Sequence, residues 1–142
     1  MNREILFRGK SIGTGGWLYG HLFNYGGITA PRNMLCISVC VPTSRREAFN
    51  LYAVHPDTIG QYTGLKDKNG NKIFEGDIVA ENGGILGSIV LSLRYGVSIL
   101  KNSTTWSLRN FCIDSDFDFG TLINIEVVGN IHDNPELLKG GK

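Results

Sequence analysis

The 142-residue chain reads as a mainly β protein with little helix, and three observations predict this. Glycine occurs 19 times, about 13% of the chain against a usual share of ~7%. Ala, the best helix former, occurs only four times, whereas Ile occurs 14 times and Val eight. Apolar residues come in short runs, each closed by Gly, Pro or Asn, as expected of strands joined by tight turns.

The elements follow in order. Residues 5–8 read as a first strand closed by Gly9. Residues 17–23 form a second, with Trp17, Tyr19, His21 and Phe23 on one face and Leu18 and Leu22 on the other. Both faces are largely apolar, so one meets the core and the other a second layer or subunit. Residues 24–27 form a turn, and 34–41 are a further strand ended by Pro42. Residues 43–49 are polar enough for a loop or a short helix capped at Thr43 or Ser44. A short strand at 52–54 leads into Pro56.

Asn69-Gly70, between 63–68 and 71–74, predicts a hairpin with a type I′ turn. Glu75-Gly76-Asp77 leads into a strand at 78–80, and a glycine turn at Gly83-Gly84 precedes another at 85–91. Strands are expected at 97–100, 105–108 and 122–128. Asn134-Pro135 carries the one helix-start signal, Pro at the first helical position. From residue 59 onward this order suggests a strongly bent sheet or SH3-like, partly open barrel. Residues 1–58 form an N-terminal β region beside 59–142, or the whole of 1–142 is one continuous domain.

Composition bounds the function. With 42% hydrophobic and 19% charged residues the chain is globular. Lys plus Arg number 14 against 13 Asp plus Glu, a formal charge of +1, which argues against attachment to nucleic acid or membrane by bulk charge. No apolar run approaches the roughly 20 residues of a membrane span. Residues 1–5 mix charges early and lack the apolar core of a signal peptide. The expectation is a soluble, cytoplasmic protein without a membrane partner.

Three blocks of sequence then carry a resemblance. The central one runs Thr58-Ile59-Gly60-Gln61-Tyr62-Thr63-Gly64-Leu65-Lys66-Asp67-Lys68-Asn69-Gly70, followed by Ile73-Phe74-Glu75-Gly76-Asp77-Ile78-Val79. The opening has Arg3-Glu4-Ile5-Leu6-Phe7-Arg8-Gly9-Lys10, and the close Glu126-Val127-Val128-Gly129-Asn130-Ile131-His132-Asp133-Asn134-Pro135-Glu136-Leu137-Leu138. Together, in this order, they resemble the YopX family of phage and prophage proteins. The resemblance implies a gene borne on a bacteriophage or prophage and expression in the cytoplasm of a bacterium, and it brings no active site with it.

Candidate chemistry is sparse. Glu75 and Asp77 have the spacing of an acid/base or metal pair on one strand face, but the favoured reading is a bulged turn whose carboxylates accept backbone N–H bonds. Gln61, Tyr62 and Thr63 have groups to read a ligand or to close hydrogen bonds at a strand end. Asp114, Asp116 and Asp118 alternate like the start of an EF-hand loop, yet Gly120 falls seventh instead of sixth and Ile125 stands where the bidentate Glu is needed. Cys36, Cys40 and Cys112 lack metal spacing and read as apolar strand residues. His21, His55 and His132 are scattered, with no nucleophile motif beside them. Gly13-Thr14-Gly15-Gly16 lacks the Lys-Ser/Thr ending of a phosphate loop and reads as a turn.

The sequence therefore predicts a non-enzymatic accessory protein, without cofactor or metal, that associates with itself and with a host or phage protein. Its candidate binding surface is Gln61, Tyr62, Thr63, Lys66, Lys68, Lys72, Glu75, Asp77 and His132. The alternative is a nucleic-acid-binding β-barrel module using Arg32, Arg45, Arg46, Lys66, Lys68 and Lys72 with Tyr62 and Phe74 nearby.

Overall fold

The computed structural model describes residues 5–24, 35–42, 47–92, 96–101, 104–107, 113–114, 121–122 and 124–139. The strands are β1 (Phe7–Lys10), β2 (Trp17–Asn24), β3 (Leu35–Pro42), β4 (Glu47–Ala53), β5 (Gly60–Lys66), β6 (Lys72–Phe74), β7 (Asp77–Glu81), β8 (Gly84–Ser92), β9 (Gly96–Lys101), β10 (Thr104–Ser107), β11 (Ile113–Asp114), β12 (Thr121–Leu122) and β13 (Ile125–Asn130). A 3-10 turn at Pro56–Thr58 precedes β5, and α1 (Glu136–Lys139) follows β13. The protein is mainly β, as its Ile, Val and Gly content predicts. By its internal contacts the chain divides into two units, Met1–Gln61 and Tyr62–Lys142.

The first unit is an antiparallel ladder: Gly60 and Gln61 of β5 pair with β1, then β2, β3 and β4 follow in sequence order. The β1–β2 hairpin closes on a loop whose amides are all engaged, that of Ile12 by Ala53 O and the rest within the loop. Ser11 Oγ accepts from the N–H groups of Gly13 and Thr14, Ser11 O from Gly15, and Thr14 Oγ1 from Gly16. This run is a turn, with no N–H left over to cradle a phosphate. Among the residues whose side chains are described, Cys36, Ile37 and Val54 are buried apolar residues of this unit, and Arg8 and Ser11 buried polar ones.

The second unit holds an antiparallel sheet in the order β10-β9-β8-β7-β13. The remainder of β5 pairs with β6 and, in parallel, with β12, which pairs with β11. Ile73, Val79, Ile89, Ile99, Leu122 and Ile125 form the core, with Leu65, Leu86, Val97 and Val127 packed on it. Ile78 and Ala80, on the other face of β7, are buried as well. Among the described strands neither ladder closes on itself, so there is no closed barrel.

Several local expectations need correction. Residues 47–49 are strand, where a loop or helix was expected, because β4 pairs with β3 without interruption from Glu47 to Ala53. The expected strand at 122–128 is two: Leu122 ends β12, Asn124 lies in an exposed bend, and Ile125 starts β13. Simple alternation fails there because Leu122 and Ile125, three apart, are both fully buried. The type I′ turn also sits elsewhere. Asn82 has φ 51° and Gly83 φ 85°, with Glu81 paired to Gly84, so Asn82-Gly83 is the two-residue loop with positive φ at both positions. At Asn69-Gly70 only Gly70 has positive φ. There Gly70 N–H donates to Asp67 O at 2.9 Å and Asp67 N–H to Asn71 O at 2.8 Å, a three-residue loop with a left-handed glycine at its end. Among the described residues, the expected helix after Pro135 forms one short turn, α1. The turn expected at 24–27 and the acidic run at 114–120 lie mainly outside the described residues, and Arg32, Arg45 and Arg46 wholly so.

Candidate functional site

The two long signature blocks come together in the second unit, and Asp67 is where they join. Its side chain is 0% exposed. One oxygen accepts the N–H groups of Asn69 and Asn71 at 2.9 and 2.8 Å, which shapes the hairpin turn. The other accepts Asn71 Nδ2 at 3.3 Å and the Val127 N–H at 3.0 Å, which ties the turn to β13. Lys68 N–H donates to Ile125 O at 2.9 Å alongside. The turn thus caps two backbone groups on the outer edge of β13.

The second junction is Glu75-Gly76-Asp77, a turn between β6 and β7. Asp77 is buried and its Oδ2 accepts the Phe74 N–H at 2.7 Å, as the bulged-turn reading expects. Gly76 N–H donates to Ile89 O, and Gly76 O accepts Ile131 N–H from the closing block. Asn130 continues that block: its Oδ1 accepts the N–H groups of His132 and Asp133 at 3.0 and 2.9 Å. Asn134 N–H returns to Asn130 O at 2.8 Å, starting the path into α1.

The candidate binding residues therefore separate by depth. Tyr62 is buried, with its ring tilted against Phe74 at 5.6 Å between centroids. Thr63 is buried, donating to Ile73 O at 2.7 Å and accepting from Leu65 N–H. Glu75, His132, Lys66 and Lys72 are half-buried and Lys68 is exposed. Lys66 and Lys72 face each other across β5 and β6, and Lys72 Nζ lies 5.5 Å from the Tyr62 ring centroid. Gln61, half-buried, belongs to the first unit. Among the described residues no three His, Cys, Asp or Glu side chains are grouped to hold a metal ion. Nor is any helix there long and apolar enough to cross a membrane. Cys36 is buried and carries a free thiol, in keeping with an apolar strand role; the side chains of Cys40 and Cys112 lie outside the described residues.

The first unit carries a face that the sequence showed only in part. The register puts Lys10 opposite Trp17 and Arg8 opposite Tyr19, so both cations join the Trp17, Tyr19, His21, Phe23 face. Arg8 Cζ lies 4.7 Å and Lys10 Nζ 5.5 Å from the Trp17 ring centroid, so two cations lie over the indole. Arg8 is buried, whereas Tyr19 is 47% and Phe23 50% exposed. The signal for Arg8 and Lys10 was their own alternation, visible once β1 and β2 are read as a hairpin.

Fold and site together define an open-sheet β protein whose signature polar groups bind its own backbone. The chain belongs to the YopX protein family, whose model matches residues 6–139. Among solved structures it is similar to the crystal structure of protein EF1440 from Enterococcus faecalis. The identity is 21% and the TM-score 0.50, over 96% of this chain and 99% of that one. That likeness is one of fold. No curated protein matches the chain.

Proposed function

We propose that this protein is a phage-type accessory protein, cytoplasmic in a bacterial host, that acts by binding, not catalysis, and that it self-associates before engaging a host or phage protein. Support for the non-catalytic part is that Asp67, Asp77, Thr63 and Asn130 hold backbone groups of their own fold. The observation that carries self-association is the contrast between two sheet edges. The outer edge of β13 is capped by the Asp67 turn. By contrast β4 ends its ladder among the described residues, runs seven register pairs with β3 without a bulge, and has Glu47 as its one charged residue. Long, regular, uncharged edges pair with other strands unless blunted. An antiparallel pairing of β4 with its own copy is isologous and closes as a dimer.

Light scattering over a range of concentrations tests this directly. A dimer is expected, and successive Pro substitutions locate its edge, because neighbouring residues point their N–H groups to opposite sides of a strand. One of Asn50→Pro and Leu51→Pro is expected to give a folded monomer, and the other to weaken the fold itself. A wild-type chain that stays monomeric throughout overturns the reading.

A further inference from the structure

We infer that the Trp17, Tyr19, His21, Phe23 face of the first unit binds single-stranded nucleic acid with little sequence preference. Three observations converge. Tyr19, His21 and Phe23 are all exposed and occupy alternate positions of one strand. Alternate residues stand about 6.6 Å apart along a strand, roughly twice the ~3.4 Å step of stacked bases, so unstacked bases fit against successive rings. Every base has a π-face, which makes such stacking tolerant of sequence.

The second observation is charge. The near-zero total hides an uneven division: Met1–Gln61 has six Lys and Arg against three Asp and Glu, and Tyr62–Lys142 eight against ten. No Asp or Glu occurs anywhere from residue 5 to residue 46. A chain with phosphates along it meets no carboxylate on β1, β2 or the loop between them. The same division tells against the Lys66, Lys68, Lys72 hairpin, which lies in the acidic unit.

The third is how the ring at the end of the row is held. Arg8 and Lys10 both lie over the Trp17 ring; Arg8 is buried, and Lys10, half-buried, is the cation with surface left to meet a phosphate. Rings with cations also occur where proteins dock, so it is the absence of any carboxylate from residue 5 to residue 46 that favours a phosphate-bearing partner.

The test is fluorescence anisotropy of a labelled oligothymidylate of about 15 nucleotides against the full chain, with a duplex of equal length beside it, at several salt concentrations. Binding of the single strand over the duplex is expected. Tyr19→Leu and Phe23→Leu keep apolar area but remove the stacking plane, and each is expected to weaken binding about fivefold or more. Lys10→Gln is expected to flatten the salt dependence by about 0.7 in the log–log slope. Thermal melting confirms that each variant is folded. Absence of single-strand binding, equal affinity for duplex, or unchanged affinity in both Leu variants overturns the proposal. So does a change of oligomeric mass in those variants, since it gives the face to a second copy; a lost β4 dimer with intact oligonucleotide binding leaves it standing.

Discussion

Asp67 shows how a charged residue in a signature can serve the fold. Buried carboxylates are costly unless every lone pair is answered, and here three backbone N–H groups and one side-chain amide answer them. Replacing Asp67 by Ala leaves the Val127 N–H buried without that acceptor and releases the hairpin turn. We expect a loss of about 3 kcal/mol in urea unfolding, from hydrogen bonds to a charged acceptor. Asp67→Asn retains the shape but sets an amide NH2 against an N–H donor at one of the two ends, for a loss of roughly half as much. A change below about 0.5 kcal/mol in Asp67→Ala, the range of a neutral surface substitution, contradicts the role. In the sequence Asp67 was one more acid in a polar block, because its decisive partner, Val127, lies 60 positions away.

At the scale of elements, two Asn-Gly pairs look alike in the sequence and fold differently. Asn82-Gly83 takes positive φ at both residues, whereas Asn69-Gly70 takes it at the glycine alone. The difference comes from what precedes each pair. Asp67 draws the N–H groups of Asn69 and Asn71 to one carboxylate oxygen, and that geometry suits a turn one residue longer. No such acceptor acts at Glu81, so the two-residue loop matched to strand twist prevails. Asn82→Ala is therefore expected to cost about 1 kcal/mol, since Ala tolerates left-handed backbone less well, and Asn69→Ala less than about 0.5 kcal/mol. Parallel denaturation curves of the two variants decide it, and equal losses contradict the assignment. The break between β12 and β13 has the same character: two buried positions three apart override a period-two pattern.

For the whole molecule, the chain divides by its internal contacts into two units. In the second unit β7 is buried on both faces, at Ile78, Val79 and Ala80. In the first unit none of the described side chains of β2 is buried, and Tyr19, His21 and Phe23 are exposed. Local stability follows buried apolar contact, so the amides of residues 78–80 are expected to exchange slowest with solvent and those of β1 and β2 faster. Hydrogen exchange followed by mass spectrometry checks this, and the reverse order contradicts it. Both proposed surfaces, the β4 edge and the aromatic face of β2, belong to the first unit.

The mainly β class, most strand positions, the turn at residues 13–16 and the family were legible in the sequence. Each rests on a local signal: period-two alternation, a low Ala content, glycine runs, or ordered blocks of identities. The open sheet edges, the two kinds of Asn-Gly turn, the inward side chains of Tyr62, Thr63 and Asp77, and the joining of Arg8 and Lys10 to the aromatic face were decided by tertiary structure. These depend on which strand lies beside which and in what register. Pairing energy is shared between residues far apart in the chain, and a one-residue change of register turns every side chain to the other face.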